Sequence, residues 1–332
     1  MDLKQRLNLL VELGDHILSM PDSWLSTKEK AYHENGWFTP EFIDLSAYNI
    51  ATRFLNRTAL ESVVKQYSLP ESKLRPLDVG IVMAGNIPLV GFHDFLCVFL
   101  SGHNQVIKLS SKDKVLLRYL VEWLWAKDEM LKNTIRFSEM LKGCDAYIAT
   151  GSNNSSRYFE YYFSRFPHLI RKNRSSAAIL TGSEDLSQLA ALADDVYTYF
   201  GLGCRNVTKI YVPENYDFVP LLETFKIYNH LFDHHKYKNN YDYQLAMLMI
   251  NREQYMTNGS LILRKNNSLF SPVSVLHYDY YDDPAVLAAS LAASEGVQCV
   301  VGYNQLPFGD SQKPRLTDFA DGADTLQFLL SL

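Results

Sequence analysis

Cysteine is scarce. The chain carries 4 in 332 residues, and Cys97, Cys144, Cys204 and Cys299 lie far apart with no CxxC pair, which argues against a zinc site and against a dense disulfide framework. Reduced thiols are therefore expected, as in a cytoplasmic protein. A positive excess is also missing: the net charge is −5 and the isoelectric point is near 6.0, so no basic surface for nucleic acid is expected. Unbroken apolar runs are absent too. The most apolar stretch, residues 81–100, is interrupted by Gly85, Asn86, Pro88, Gly91, His93 and Asp94, and no membrane span is expected of it. Asp2, Lys4 and Arg6 break up the beginning of the chain, so no secretory leader is expected. Internal repeats and low-complexity tracts do not occur, and the polar run 234–240 reads as a solvated loop.

What is present is ordinary for a soluble enzyme. Hydrophobic residues make up 47% of the chain and charged residues 21%, enough for a buried core in two domains. Residues 2–67 show helical spacing with breaks at Pro21 and Pro40. Beyond them, strand-like runs at 78–84, 105–109, 145–149 and 176–180 alternate with helix-like segments at 89–101 and 113–131. Such alternation predicts a mostly parallel, doubly wound sheet. A helix over 185–200, a glycine-flanked turn at 201–204 and a strand at 208–212 open a second α/β region. Its further units are helices at 219–232, 242–250 and 284–294 and strands at 260–263, 273–277 and 298–301. The predicted fold is thus α/β, with a helical lead-in and two doubly wound domains. The expected division is a lead-in plus nucleotide-binding domain over 1–199, a cysteine-bearing domain over 200–304, and a C-terminal segment, 305–332, returning to the first domain.

Four places can carry chemistry. Cys204 stands after Gly201 and Gly203, glycines that let a turn bring backbone N–H groups towards whatever the sulfur attacks, and Arg205 beside it favours a thiolate. The alternative is a buried, unreactive thiol. Asn86 ends a strand, where its carboxamide can donate to an oxyanion; the alternative is a turn residue or helix cap. Lys108 and Ser111 end the next strand, at the sheet edge where open α/β sheets bind ligands. Thr150-Gly151-Ser152-Asn153 opens a helix, which suits either a phosphate or a plain cap. His93 and His103 are read as packed or capping residues, and no metal is proposed.

The order of these pieces resembles a known family. Gly85-Asn86-Ile87-Pro88, Val106-Ile107-Lys108, Thr150-Gly151-Ser152, Gly203-Cys204, Leu269-Phe270-Ser271-Pro272-Val273 and Pro307-Phe308-Gly309-Asp310 follow one another as in the aldehyde dehydrogenase superfamily. Within it they look most like the bacterial acyl-CoA reductases related to the luciferase-associated fatty acid reductase. The resemblance runs from about Asp78 to the C-terminus. It implies an acyl-accepting Cys204, Asn86 in an oxyanion hole, and Lys108, Ser111, Gly151, Ser152 and Phe270 in an NAD(P) site.

Departures from the pattern refine the expectation. Hydrolytic members carry a glutamate on the strand before the cysteine helix to activate water, whereas here residues 170–176 contain no carboxylate. An acyl thioester on Cys204 is then expected to persist until hydride or a thiol such as coenzyme A takes the acyl group. Ser268 replaces the glutamate that holds the nicotinamide ribose, and Ser111 replaces one that binds the adenosine ribose, which removes the repulsion of a 2′-phosphate and favours NADPH, with NADH as the alternative. The chain is also shorter than the family's usual one, so the strand that relatives exchange between subunits is expected to be shortened. The resulting expectation is a cytoplasmic acyl-CoA reductase that releases an aldehyde. Acyl-CoA or another activated acyl donor is its partner, with an acyl-transferring protein and a second copy of the chain as further candidates. Aldehyde oxidation and a non-catalytic nucleotide- or protein-binding relative are the competing readings.

Overall fold

The computed structural model describes residues 1–73, 75–151 and 153–332, the Asn153 side chain excepted. The chain divides into two compact units, one of Met1–Asn173 with Pro314–Leu332 and one of Arg174–Lys313.

The first unit opens with helices whose boundaries are written locally. Asp2 and Gln5 form a reciprocal capping box at the start of Leu3–Leu18. Pro21 precedes Asp22–Glu34, and Pro40 is the first residue of Pro40–Asn49, capped by Thr39, so the two expected breaks are helix starts where a missing N–H costs nothing. A π-helical segment, Ile50–Phe54, and the helix Arg57–Tyr67 complete the lead-in.

Five parallel strands follow: β1 (Asp78–Val82), β2 (Asn104–Lys108), β3 (Ile135–Phe137), β4 (Ala146–Thr150) and β5 (His168–Arg171), in the order β3-β2-β1-β4-β5. The helix Phe92–Ser101, between β1 and β2, packs against both strands, the first helix and the final helix Thr325–Leu330. Apolar nearly all round, it has to be buried, and Phe95, Leu96, Cys97, Val98 and Leu100 are fully enclosed. The C-terminal segment is sewn to this unit through histidines. His93 Nε2 pairs with the Leu316 carbonyl at 2.8 Å, and His103 Nε2 with that of Leu329 at 3.0 Å. His103 Nδ1 accepts the Leu77 N–H, so its ring is neutral, as the downward shift from burial requires.

The second unit has six strands: β6 (Ser175–Ile179), β7 (Val207–Pro213), β8 (Met256–Thr257), β9 (Ile262–Lys265), β10 (Val275–Tyr281) and β11 (Val297–Gly302), ordered β11-β6-β7-β10-β9-β8. All pair in parallel except β8, a short antiparallel edge.

Three features differ from the expectation. The division falls at 173/174 and not near 200, because β6 and the helix Leu186–Tyr197 pair and pack with the strands that follow them. Likewise the chain rejoins the first unit at Pro314 and not at 305. The run 234–240 is no loop: His234 caps the helix His235–Asn251, whose polar first turns mask the periodicity.

Candidate functional site

In the first sheet the strand order reverses beside β1: β2 and β3 continue to one side, β4 and β5 lie on the other. Loops leaving the carboxyl ends at such a point form the ligand crevice of an open α/β sheet. The loop after β1 carries Asn86, β2 ends on Lys108 with Ser111 in the turn beyond it, and Gly151 follows β4. These positions therefore share one sheet edge.

Each is placed for a stated local reason. Met83 extends the β1–β2 ladder by donating to the Lys108 carbonyl at 3.0 Å, after which the chain turns through the half-buried Asn86 into the helix at Phe92. Gly85 permits the turn, since a Cβ there would lie 2.4 Å from Ser110 Oγ. Lys108 and Ser111 are both exposed at this edge. Gly151 donates its N–H to the Arg171 carbonyl at 3.3 Å, and a Cβ there would stand 2.8 Å from Phe159, so packing against the following helix already demands a glycine. Ser152 lies outside the described residues. Phe270 belongs to the second unit, more than one-third exposed, in the loop after β9.

The stretch without a carboxylate ends β5 with Arg171, which is 3% exposed. Its Nη1 meets both oxygens of Asp94 at 2.5 and 2.6 Å, and its Nη2 donates to Thr325 Oγ1 at 2.5 Å. A buried guanidinium paired with a carboxylate cannot serve as a general base.

Cys204 stands in the turn between the 3₁₀ segment Thr198–Gly201 and β7, half-buried and not in a disulfide. Three successive residues before it are left-handed, Tyr199 (φ 54°), Phe200 (φ 57°) and Gly201 (φ 74°). Only the glycine adopts that conformation without strain, and bulky residues held there are a mark of a specified turn. Asn206 supplies the specification. Fully buried, it accepts the Gly203 N–H at 2.8 Å and donates through Nδ2 to the carbonyls of Asp195, Val196 and Thr198 at 3.1, 3.3 and 2.7 Å. Ser176, on β6, donates to the Cys204 carbonyl at 3.1 Å.

Ser176 Oγ is also 3.1 Å from Cys299 Sγ, and burial raises the Cys299 thiol while Arg205 and Ser176 draw it down. The guanidinium beside the candidate nucleophile thus acts on the neighbouring cysteine. Asn206 and Ser176 escaped the sequence reading because nothing in the one-dimensional pattern separates a clamping amide or hydroxyl from a solvated one.

Asp195 fastens another motif. Its two oxygens accept the N–H groups of Gly309 and Ser311 at 2.7 and 3.0 Å, holding the Pro307-Phe308-Gly309 turn. Burial outweighs these bonds and lifts its pKa to about 6. The folded form therefore binds this proton more tightly than the unfolded chain, whose aspartates titrate near about 3.9. Its ionised form costs stability above about pH 6, and the cost disappears as pH falls towards about 4. On moving from about pH 7.5 to about pH 5, the wild type is expected to gain about 1–2 kcal/mol relative to Asp195→Asn. Urea unfolding of both proteins at the two pH values measures the difference, and parallel pH dependence rules the coupling out.

No protein-family model matches the chain, and neither does any curated protein. Solved structures do. Aldehyde dehydrogenase 21 from Physcomitrella patens, in complex with succinate, superposes with a TM-score of 0.68 over 100% of this chain and 84% of its own, at 12% identity. An E. coli NADP-dependent enzyme gives 0.67 over 91% and 73%, at 11% identity. The Mycobacterium tuberculosis aldehyde dehydrogenase complexed with NAD+ gives 0.63 over 94% and 75%, at 14% identity. The fold is accordingly of the aldehyde dehydrogenase kind. Among the described residues no helix is long and apolar enough to cross a membrane.

Proposed function

We propose that the protein is an acyl-CoA reductase that passes its substrate through an acyl thioester on Cys204. The observation that carries the reading is the stretch from Ile170 to Ser176, which holds a water-activating glutamate in hydrolytic relatives and here has no carboxylate, with Arg171 at the end of β5 bonded to Asp94 and Thr325. Without that base an acyl-enzyme is not hydrolysed quickly. The fold shared with NAD- and NADP-linked enzymes supports a nucleotide cofactor.

The chemistry proceeds in two stages. The Cys204 thiolate attacks the thioester carbonyl of acyl-CoA, the new S–C bond forms, and the coenzyme A thiolate leaves and takes up a proton. Asn86 donates its amide N–H to the oxygen that carries the developing charge. A reduced nicotinamide supplies the hydride when bound, with Lys108, Ser111, the Gly151 loop and Phe270 as the residues to hold the cofactor. The second tetrahedral oxyanion, again on Asn86, collapses to aldehyde and returns the Cys204 thiolate.

Incubation with a series of acyl-CoAs is expected to raise the intact mass by one acyl group, and adding NADPH should discharge it as aldehyde. NADPH is expected to act at least as fast as NADH, since the Ser111 hydroxyl can donate to a 2′-phosphate that a carboxylate repels. Release of free acid in place of aldehyde overturns the reading.

A further inference from the structure

We infer that Asp113 is a positioning residue for Asn86: its carboxylate ties the loop that carries the amide to the turn after β2 and to the next helix, and so sets where the oxyanion donor points. The inference rests on the reading of Asn86 as that donor.

The loop from Met83 to Gly91 has to reverse the chain from β1 into the helix Phe92–Ser101, and beside its internal turns, Val90 N–H to the Ile87 carbonyl and Phe92 N–H to the Leu89 carbonyl, it needs anchors. External groups supply them. Asp113 Oδ2 accepts the Leu89 N–H at 3.0 Å, and Ser46 Oγ donates to the Pro88 carbonyl at 2.7 Å. Leu89 sits at φ 57°, a left-handed conformation that an apolar L-residue keeps only when its surroundings impose it. The Asp113 N–H donates to the Ser110 carbonyl at 3.2 Å, and Ser110 is the residue on which Gly85 rests. The loop is therefore gripped on both sides of Asn86 by the same Ser110–Asp113 turn.

The second oxygen, Oδ1, accepts the Leu116 N–H at 3.4 Å, at the start of the helix Leu116–Lys127. A serine or asparagine would cap that helix without bringing a charge into a position only 8% exposed, where burial drives the carboxyl up to about 6. Two acceptors pointing at two different segments are what the carboxylate adds. A neutral cap has one hydroxyl or one carbonyl to offer.

The test uses p-nitrophenyl acetate, which acylates an activated thiolate: the S–acyl bond forms, the ester C–O bond breaks, and p-nitrophenolate leaves and is counted. Asp113→Asn and Asp113→Ser are each expected to slow acylation about tenfold with KM within about twofold, as a misaimed donor costs rate and not binding. In an Asn86→Ala background the same substitutions should change the rate less than about twofold, because the group they aim is gone. Asp113→Ser keeps a hydroxyl for the helix cap, so a wild-type rate in that variant reduces Asp113 to a cap and overturns the proposal. Equal slowing with and without Asn86 also overturns it. An unchanged rate in Asn86→Ala alone removes the premise, an outcome distinct from failure of the coupling. Melting curves of each variant identify any loss of rate that is loss of fold.

Discussion

Cys204→Ala is expected to take up no acyl group and to lose reductase turnover by on the order of 10⁴–10⁶, the usual effect of deleting a covalent nucleophile. The fold should survive, because the turn is held by the Asn206 amide and by Ser176 bonding to the Cys204 carbonyl, none of which involves the thiol. The other cysteines make the result selective. Cys97 is fully buried and its thiol is pushed well above the ordinary range by burial and by Asp94, while burial lifts Cys144 to about 11. Neither supplies a thiolate near neutral pH, so Cys97→Ala and Cys144→Ala should still be acylated. Cys299 is the informative control, since Arg205 and Ser176 partly offset its burial. Intact mass after incubation with acyl-CoA decides: an adduct that persists in Cys204→Ala and maps to Cys299 transfers the role to the second thiol.

Asn86→Ala is expected to reduce kcat by about 10²–10³, or about 3–4 kcal/mol, with little change in the affinity for acyl-CoA. The asymmetry follows from where charge appears. A neutral carbonyl in the bound substrate gains little from a carboxamide N–H, whereas the tetrahedral oxyanion gains much. Asn86 is half-buried in a loop fixed by Ser46, Ser110 and Asp113, so the donor is oriented before the charge develops. Steady-state kinetics separate the two effects. Unchanged turnover with weakened binding makes Asn86 a structural turn residue and removes it from the mechanism.

Much of this was legible along the chain. Apolar runs ending in glycine or a polar turn marked β1, β2, β4, β6 and β7 within a residue or two, because a parallel strand buried on both faces reads as a short apolar block. The two lead-in breaks were legible because proline is tolerated at a helix start, where its missing N–H is not needed, and not in a helix interior. Strand β5 was not: four residues that include His168 and Arg171 carry no β signature, and their strand character comes from pairing with β4. The unit boundary was missed for the same reason. Only three residues separate β5 from β6, and nothing in 172–174 resembles a linker, so the division exists in the pairing of strands and not in the composition.

By itself, then, the sequence determined the α/β class, the lead-in helices, and the standing of Cys204, Asn86, Lys108 and Ser111 as groups able to carry chemistry, since residue type and strand-end position are local properties. Tertiary structure alone decided what holds them. That Asp113 reaches Leu89, Asn206 ties Gly203 to Thr198, and Arg171 is spent on Asp94 depends on hydrogen-bond directions between segments from 3 to 77 residues apart, where a buried polar group is stable only if its partner is met.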